Sequence, residues 1–445
     1  MKQSKKISLY SYLLSLFIGL ILAVIFGAIV NHQIYNQENS RFGLLGKFFL
    51  DVAQFPSNLN KFLFEEHPQV LSSGRFNDIG FFSKNGKIYL NTNKDDGYIL
   101  LSSFDKLEDQ ASVKLIRVRD QKIMHKWTPN IDTLYNLTSA NLQKYSEGRR
   151  KKNYRIMHPL PLSNGNIVFN NNGLLFAMNA CSEIEFFTKG TFHHSNELDH
   201  EGNIWVPSVY FPQFYSNFPE YRDDAIAKIS PKGEVLFKRS LSEILVENGY
   251  LGLLGVGKDL DPIHLNDIQP ALSDSKYWKK GDLLISLRQR STVFLYRPSV
   301  NKILWLSTGP WLNQHDANFV DNESISIFGN DVFDTGKDMR LIGDSNNIYI
   351  YNFSDNSIKT PFKKIMAKTE IETLTEGLAY PINQDEFFIE ESNHGRLIKI
   401  NRNSVLWELV DRINKEEISL TSWSRYLKRP EGEDLINNIG VQKCT

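Results

Sequence analysis

A polar turn leading into a short apolar strand recurs along this chain, and a repeat of that kind decides architecture before any other feature. It stands at Asn164–Phe169, Glu201–Val206, Gly281–Ile285, Asn322–Ile327 and Gln384–Ile389. Hairpins with polar turns follow: Ala225–Ile229 with Pro231–Phe237, Val293–Tyr296 with Lys302–Trp305, and Arg396–Ile400 with Ser404–Glu408. Alternating β-branched and aromatic residues between Gly, Asn and Asp turns read as antiparallel strands. Upstream, Lys87–Asn91, Gly97–Leu101, Val113–Val118 and Lys122–Trp127 form one more unit, at residues 78–127. About six units of unequal length predict an all-β fold, a six-bladed β-propeller in which each blade is a small antiparallel sheet. No helical pattern of convincing length intrudes before the C-terminal tail.

Histidines sit in register with the repeat. His194 precedes Ile204 and Val206, and His315 precedes Ile325 and Ile327, by identical offsets. A third, His264, leads through a longer loop into Asp282–Arg288. The innermost strand of a blade runs along the central channel, so a residue just before it stands at the channel mouth, where propellers bind ligands. The corresponding positions of two other blades fall near His158 and Gly377. His194, His264, His315 and Arg288 therefore form the candidate site. A lone strand-edge histidine is ordinarily a hydrogen-bonded structural residue, which is the expectation for His158, His200 and His394. Arg290 alternates in phase with Arg288, as a second anion contact or as a channel salt bridge. Tyr296, Trp305, Trp311 and Phe319 suit a core, with an aryl-group wall as their other role. Three histidines also suit zinc, but an arginine among the ligands would repel the cation, so neither metal nor cofactor is expected.

The first segment is a membrane signal. Leu9 to Val30 is apolar and uncharged, long enough for a helix to cross the hydrocarbon core, with Lys2, Lys5 and Lys6 before it. That length exceeds the apolar stretch of a cleaved signal peptide, so we expect a signal-anchor: 1–8 cytoplasmic, 9–30 transmembrane, 31–75 a juxtamembrane linker, 76–428 the propeller outside the cytoplasm and 429–445 a tail. Within the linker Phe42, Leu44, Leu45, Phe48, Phe49 and Val52 have helical spacing, and Pro56 should stop that helix. With 51 basic and 51 acidic residues there is no polyanion-binding surface, so nucleic acid is not an expected partner. Cys181 and Cys444 are the only cysteines, too few for a disulfide framework or a thiolate metal site, and their pairing with each other is left open.

The strings His193–Ile204, His264–Ile268, Ser286–Val293 and Gln314–Ala317, followed by Ile327–Asp331, resemble in order and register the bacterial arylsulfotransferase family, over roughly residues 76 to 412. Its members are 3′-phosphoadenylylsulfate-independent enzymes on a six-bladed propeller, which pass a sulfuryl group from an aryl sulfate donor to a histidine and then to a phenolic acceptor. By motif position the resemblance implies His315 as nucleophile, His194 and His264 as supporting histidines, and Arg288 as the cation. Exported members carry an N-terminal β-sandwich that helps them dimerise, whereas only about 45 residues separate the apolar segment from the first propeller strand here, too few for such a domain. The oligomeric state is therefore left open. A non-catalytic anion-binding propeller and a His-ligated metal-dependent hydrolase or lyase are the alternatives.

Overall fold

The computed structural model describes residues 9–36, 41–64, 69–72, 88–90, 92–142, 145–146, 148–218, 221–255, 261–335, 338–442 and 444. The chain divides into two units, Met1–His67 and Pro68–Thr445. Six α-helices are present among the described residues: α1 (Leu9–Asn36), α2 (Gly43–Phe64), α3 (Ile131–Ala140), α4 (Leu241–Glu247), α5 (Lys363–Lys368) and α6 (Arg429–Val441).

The first unit holds α1 and α2. Within α1, the 24 residues Tyr10–Gln33 are long and apolar enough to cross a membrane. The two helices touch through Phe26 and Phe49, whose rings meet edge to face at 5.4 Å. Pro56 does not stop α2, which continues to Phe64. A proline removes one backbone N–H, and the helical hydrogen bonds on either side hold the rest of the helix.

The second unit is all-β, in a propeller-like arrangement. Four sheets have the size of single blades, and one larger sheet is eight-stranded. The N-terminal sheet runs Tyr98–Asp105, Gln110–Arg117, Lys122–Trp127. The eight-stranded sheet spans Met157–Pro161 to Val235–Ser240. Three more begin at Leu265–Pro270, Asp316–Phe319 and Leu378–Pro381. Alternation along each strand gives every sheet two apolar faces, and successive sheets share them. Leu100, Val113 and Leu115 pack on Ile167, Phe169 and Phe176; Ile226 and Leu241 on Leu265, Ile285 and Phe294; Leu284 and Val293 on Ile325 and Ile327. Phe328 and Ile348 pack on Phe387 and Ile389, and Phe388, Leu397 and Trp407 return to Ile99, Leu101 and Ile116. The packing closes on itself.

Both chain ends contribute to that closure. Arg425–Leu427 pairs with Tyr98–Leu100, so the C-terminal strand completes the N-terminal sheet. Ile88–Leu90 pairs instead with Glu408–Val410, on the outer edge of the last sheet. The 78–127 segment is thus not one self-contained unit as expected; its residues 78–87 and Asn91 lie outside the described residues. The ten-residue α3 also interrupts the strand pattern, where Asn130 caps the first turn by accepting from Thr133 N–H. Within the C-terminal segment, Leu435 of α6 is buried with Tyr98 and Leu427.

Cys181 and Cys444 are disulfide-bonded across 263 residues of sequence, tying the segment after α6 to the eight-stranded sheet's hairpin region. Closing so long a loop restricts the unfolded chain, so Cys444→Ser should cost about 2–5 kcal/mol of stability. Chemical denaturation of both proteins, with and without reductant, checks this; a reductant-insensitive midpoint for the parent would contradict it.

Candidate active site

The expected leading strands are the second strands of their sheets. The strands nearest the axis are Met157–Pro161, Glu197–Leu198, Leu265–Pro270, Asp316–Phe319, Leu378–Pro381 and Arg425–Leu427. His264 and His315 immediately precede two of these, and His194 stands three residues before a third. The backbone turns sharply there: His158, His194, His264, Glu376 and Trp423 all adopt left-handed φ, between +43° and +59°. Such values in non-glycine residues are strained and persist only where surrounding structure enforces them. Ahead of His315 the buried Gln314 fixes the backbone, its Nε2 amide sharing two hydrogens among Ser286 Oγ, Leu287 O and Thr292 O.

The three imidazoles are brought together and share one arrangement. The His194 and His264 rings lie 5.2 Å apart, edge to face. Trp423 stands beside His194 and His315, at 6.1 and 6.4 Å between centroids. In each histidine a neighbour engages Nδ1: His193 Nδ1 for His194 at 2.8 Å, Asp261 Oδ2 for His264 at 2.7 Å, and Asn330 Oδ1 for His315 at 2.7 Å. Asp261 and Asn330 oxygens can only accept, so His264 and His315 carry the Nδ1 proton, and the lone pair of a neutral His315 is on Nε2. His193 is wholly buried, with Nε2 3.5 Å from Asp224 Oδ1. When the His193 proton is on Nε2, its Nδ1 accepts from His194, which then carries its own proton on Nδ1.

Electrostatics keep the buried rings neutral. Burial first, then the Arg288 guanidinium and His264, hold His315 well below the usual histidine range. His194 is likewise held well below it by burial, then by His193, His264, His315 and Arg222. Arg288 is buried, its N–H donates to His264 O at 3.0 Å, and a guanidinium nitrogen lies 3.8 Å from Asp334 Oδ2. Beside the histidines lies a cavity of about 400 Å³, lined by Glu197, Asp316, Tyr380 and Arg425 and by Leu435 and Asn438 of α6. Burial pushes the Asp316 carboxyl up to about 6.

Several neighbours were not legible in the repeat. His193, Asp261, Asn330, Glu376 and Trp423 all reach the site, and only their closeness to His194, His264 or the repeat offsets could have signalled the first two. His158 also lies near the axis, 5.4 Å from Trp423, buried, with Nδ1 accepting from Asn196 N–H. His200 stands beside Glu201 and His394 bonds Glu372 O, away from the other rings. Tyr296, Trp305, Trp311 and Phe319 belong to intersheet clusters. Among the described residues no group of three His, Cys, Asp or Glu side chains is arranged to hold a metal ion.

The family model described as Arylsulfotransferase (ASST) matches residues 158–412. No curated protein matches the chain. Similar solved structures include a protein of unknown function from Bacteroides caccae, 13% identical, covering 75% of this chain and 99% of its own at a TM-score of 0.47. Virginiamycin B lyase from Staphylococcus aureus is 11% identical, with 72% and 86% covered and a TM-score of 0.36. The Pan2 WD40 domain of Neurospora crassa is 9% identical, with 69% and 78% covered and a TM-score of 0.38. None reaches 0.5, so they bear on neither the blade number nor the chemistry.

Proposed function

Because this chain belongs to the arylsulfotransferase family, we propose that it moves a sulfuryl group from an aryl sulfate donor to a phenolic acceptor through a sulfated His315. The observation that carries the reading is the common tether: each of three clustered imidazoles is tied at Nδ1, leaving Nε2 to the site. Neutral His315 has the lone pair that attack on sulfur needs. Sulfuryl transfer resembles phosphoryl transfer in spreading negative charge over non-bridging oxygens, and the Arg288 fork suits those oxygens. His264 is the better proton carrier of the supporting pair. Its Nδ1 proton rests on the Asp261 carboxylate, which stabilises the positive charge that develops when Nε2 takes up a proton. It protonates the departing phenolate and later accepts the proton of the incoming phenol, while His194 contributes to anion binding.

In this reading the propeller has six blades. The eight-stranded sheet counts as two, which meet in register at Ser208 and Phe192, and the cluster of Val168, Leu175 and Ala177 with Ile204, Val206 and Ala227 is the interface between them. The chain is a signal-anchored protein with its N-terminus cytoplasmic and the propeller outside. The Cys181–Cys444 bond supports an oxidising compartment. Full-length protein should therefore stay in the membrane fraction and resist alkaline extraction; mature protein free in the exported soluble fraction, beginning after about residue 28, would contradict the anchor.

The activity test uses the full-length protein in detergent with 4-nitrophenyl sulfate, with and without phenol. Sustained nitrophenol release should require the phenol. Release that is independent of phenol and lost on chelation would point to a metal-dependent hydrolase, and saturable binding without release to a non-catalytic anion receptor.

A further inference from the structure

The nitrogen that must attack sulfur is not bare. His315 Nε2 accepts a hydrogen bond from the Glu376 backbone N–H at 3.1 Å. Glu376 has a φ of +59°, a conformation that a residue with a side chain adopts only under constraint. The constraint is visible. Both carboxylate oxygens of Glu376 accept from the Arg155 guanidinium at 2.6 Å, fork to fork. The same guanidinium donates to Ser422 Oγ at 3.0 Å and Thr421 O at 2.9 Å, beside Trp423. From the other side, Asn330 accepts from His315 Nδ1 through Oδ1 and donates through Nδ2 to Glu376 O at 2.8 Å. Both nitrogens of the nucleophile are thus held by one connected set of groups.

We propose that the Arg155–Glu376 ion pair positions the nucleophile, aiming the Glu376 N–H at His315 Nε2 in the resting protein and passing that N–H to a sulfuryl oxygen once His315 is sulfated. The second half rests on the sulfuryl-transfer reading; the first does not. As Nε2 gives its lone pair to sulfur, the bond from sulfur to the aryl oxygen breaks. The aryl oxygen leaves with the bonding pair and takes a proton from imidazolium His264, and His315 keeps its Nδ1 proton. Nε2 then has no lone pair for Glu376, and the oxygens now attached through sulfur are the acceptors beside that N–H. An amide donor already aimed there costs no reorganisation. Glu376 acts through its backbone, and Arg155 is a positioning residue.

The test separates the two halves. Glu376→Gln, Arg155→Lys, their combination and Glu376→Gly are compared with the parent, full-length in detergent. The glycine variant accepts the left-handed backbone without strain, so a slow Glu376→Gly protein that melts like the parent is not a folding defect. Each single variant should slow the donor half-reaction by about tenfold or more with little change in KM. The double variant should be no slower than the worse single one, because the pair acts as a unit. An N–H donated to Nε2 favours the neutral ring, so loosening it should raise the pH at which His315 protonates. The charged and titratable groups facing His315 are Arg288, His264 and His194, unchanged in these variants, and the Arg155–Glu376 pair itself, so the titration is read in Arg155→Lys, which keeps both charges of the pair. NMR titration with 15N-labelled histidine reads this without substrate. Variants that burst within twofold of the parent and titrate like it overturn the proposal. A parent with no burst whose variants still shift the titration upholds the resting contact and overturns the sulfuryl-transfer reading instead.

Discussion

Replacing His315 by Asn should abolish both the pre-steady-state burst of phenol and the covalent adduct, lowering turnover by roughly 10³-fold or more. The parent, mixed with donor and no acceptor, should release about one phenol per site and retain a sulfuryl group on this imidazole. The variant keeps its fold, because an asparagine amide still donates toward Asn330 Oδ1, the partner that His315 Nδ1 now uses. Protonating the nitrogen bonded to sulfur makes it a better leaving group, so the adduct should be lost in acid and is sought by intact-mass and peptide mass spectrometry at neutral to alkaline pH. The pH profile carries a sign. Burial and then Arg288 hold His315 well below the ordinary histidine value of 6.5, so its lone pair is present at pH 7 and the donor half-reaction should not lose rate through His315 protonation until well below pH 6.5. An adduct mapped to His194 or His264 would reverse the roles, and transfer without any adduct would remove the two-step mechanism.

The histidine positions were readable because a repeat converts register into space. His194 and His315 precede their strands by one offset, and the closed packing of the sheets brings those starts together. The strands beside the axis were not readable. Leu265–Pro270 and Asp316–Phe319 carry Asn and Asp where an ordinary strand carries apolar residues, since an inner strand faces its neighbours through buried hydrogen bonds as well as through a core. Asp267 Oδ2 accepts from Ala317 N–H and Asp316 Oδ2 from Ala379 N–H, so these aspartates stitch one inner strand to the next. Read locally, the same residues look like turns. The closing strand Arg425–Leu427 was hidden for a different reason. Its partner Tyr98–Leu100 lies more than three hundred residues away in sequence, and no periodicity spans that distance. With it went Trp423, Thr421 and Ser422, which reach the site only because the C-terminus returns to the first sheet. The Arg155–Glu376 clamp is equally non-local, and no spacing rule ties an arginine to a glutamate in the last sheet.

Arg288 carries the other large expected effect. Arg288→Lys should lower kcat by roughly 10²-fold, the scale of losing one preorganised donor to developing charge. Lysine keeps the charge and loses the planar fork, so the second of two sulfuryl oxygens goes unpaired. Backbone geometry should survive, because the contact from this residue to His264 runs through its own N–H to the histidine carbonyl. Arg288→Met separates charge from shape. Removing the cation takes away the second cause of the depressed His315 titration, after burial, so the ring should protonate at higher pH than in the parent and the acid limb of the donor half-reaction should move up. In Arg288→Lys the limb should stay near the parent's, because the charge remains. Single-turnover rates across pH for the three proteins decide it. Rates for Arg288→Lys within twofold of the parent would make the guanidinium a structural partner of Asp334, at 3.8 Å, while a slow Arg288→Met with an unmoved limb would place its charge too far from His315 to act on the nucleophile.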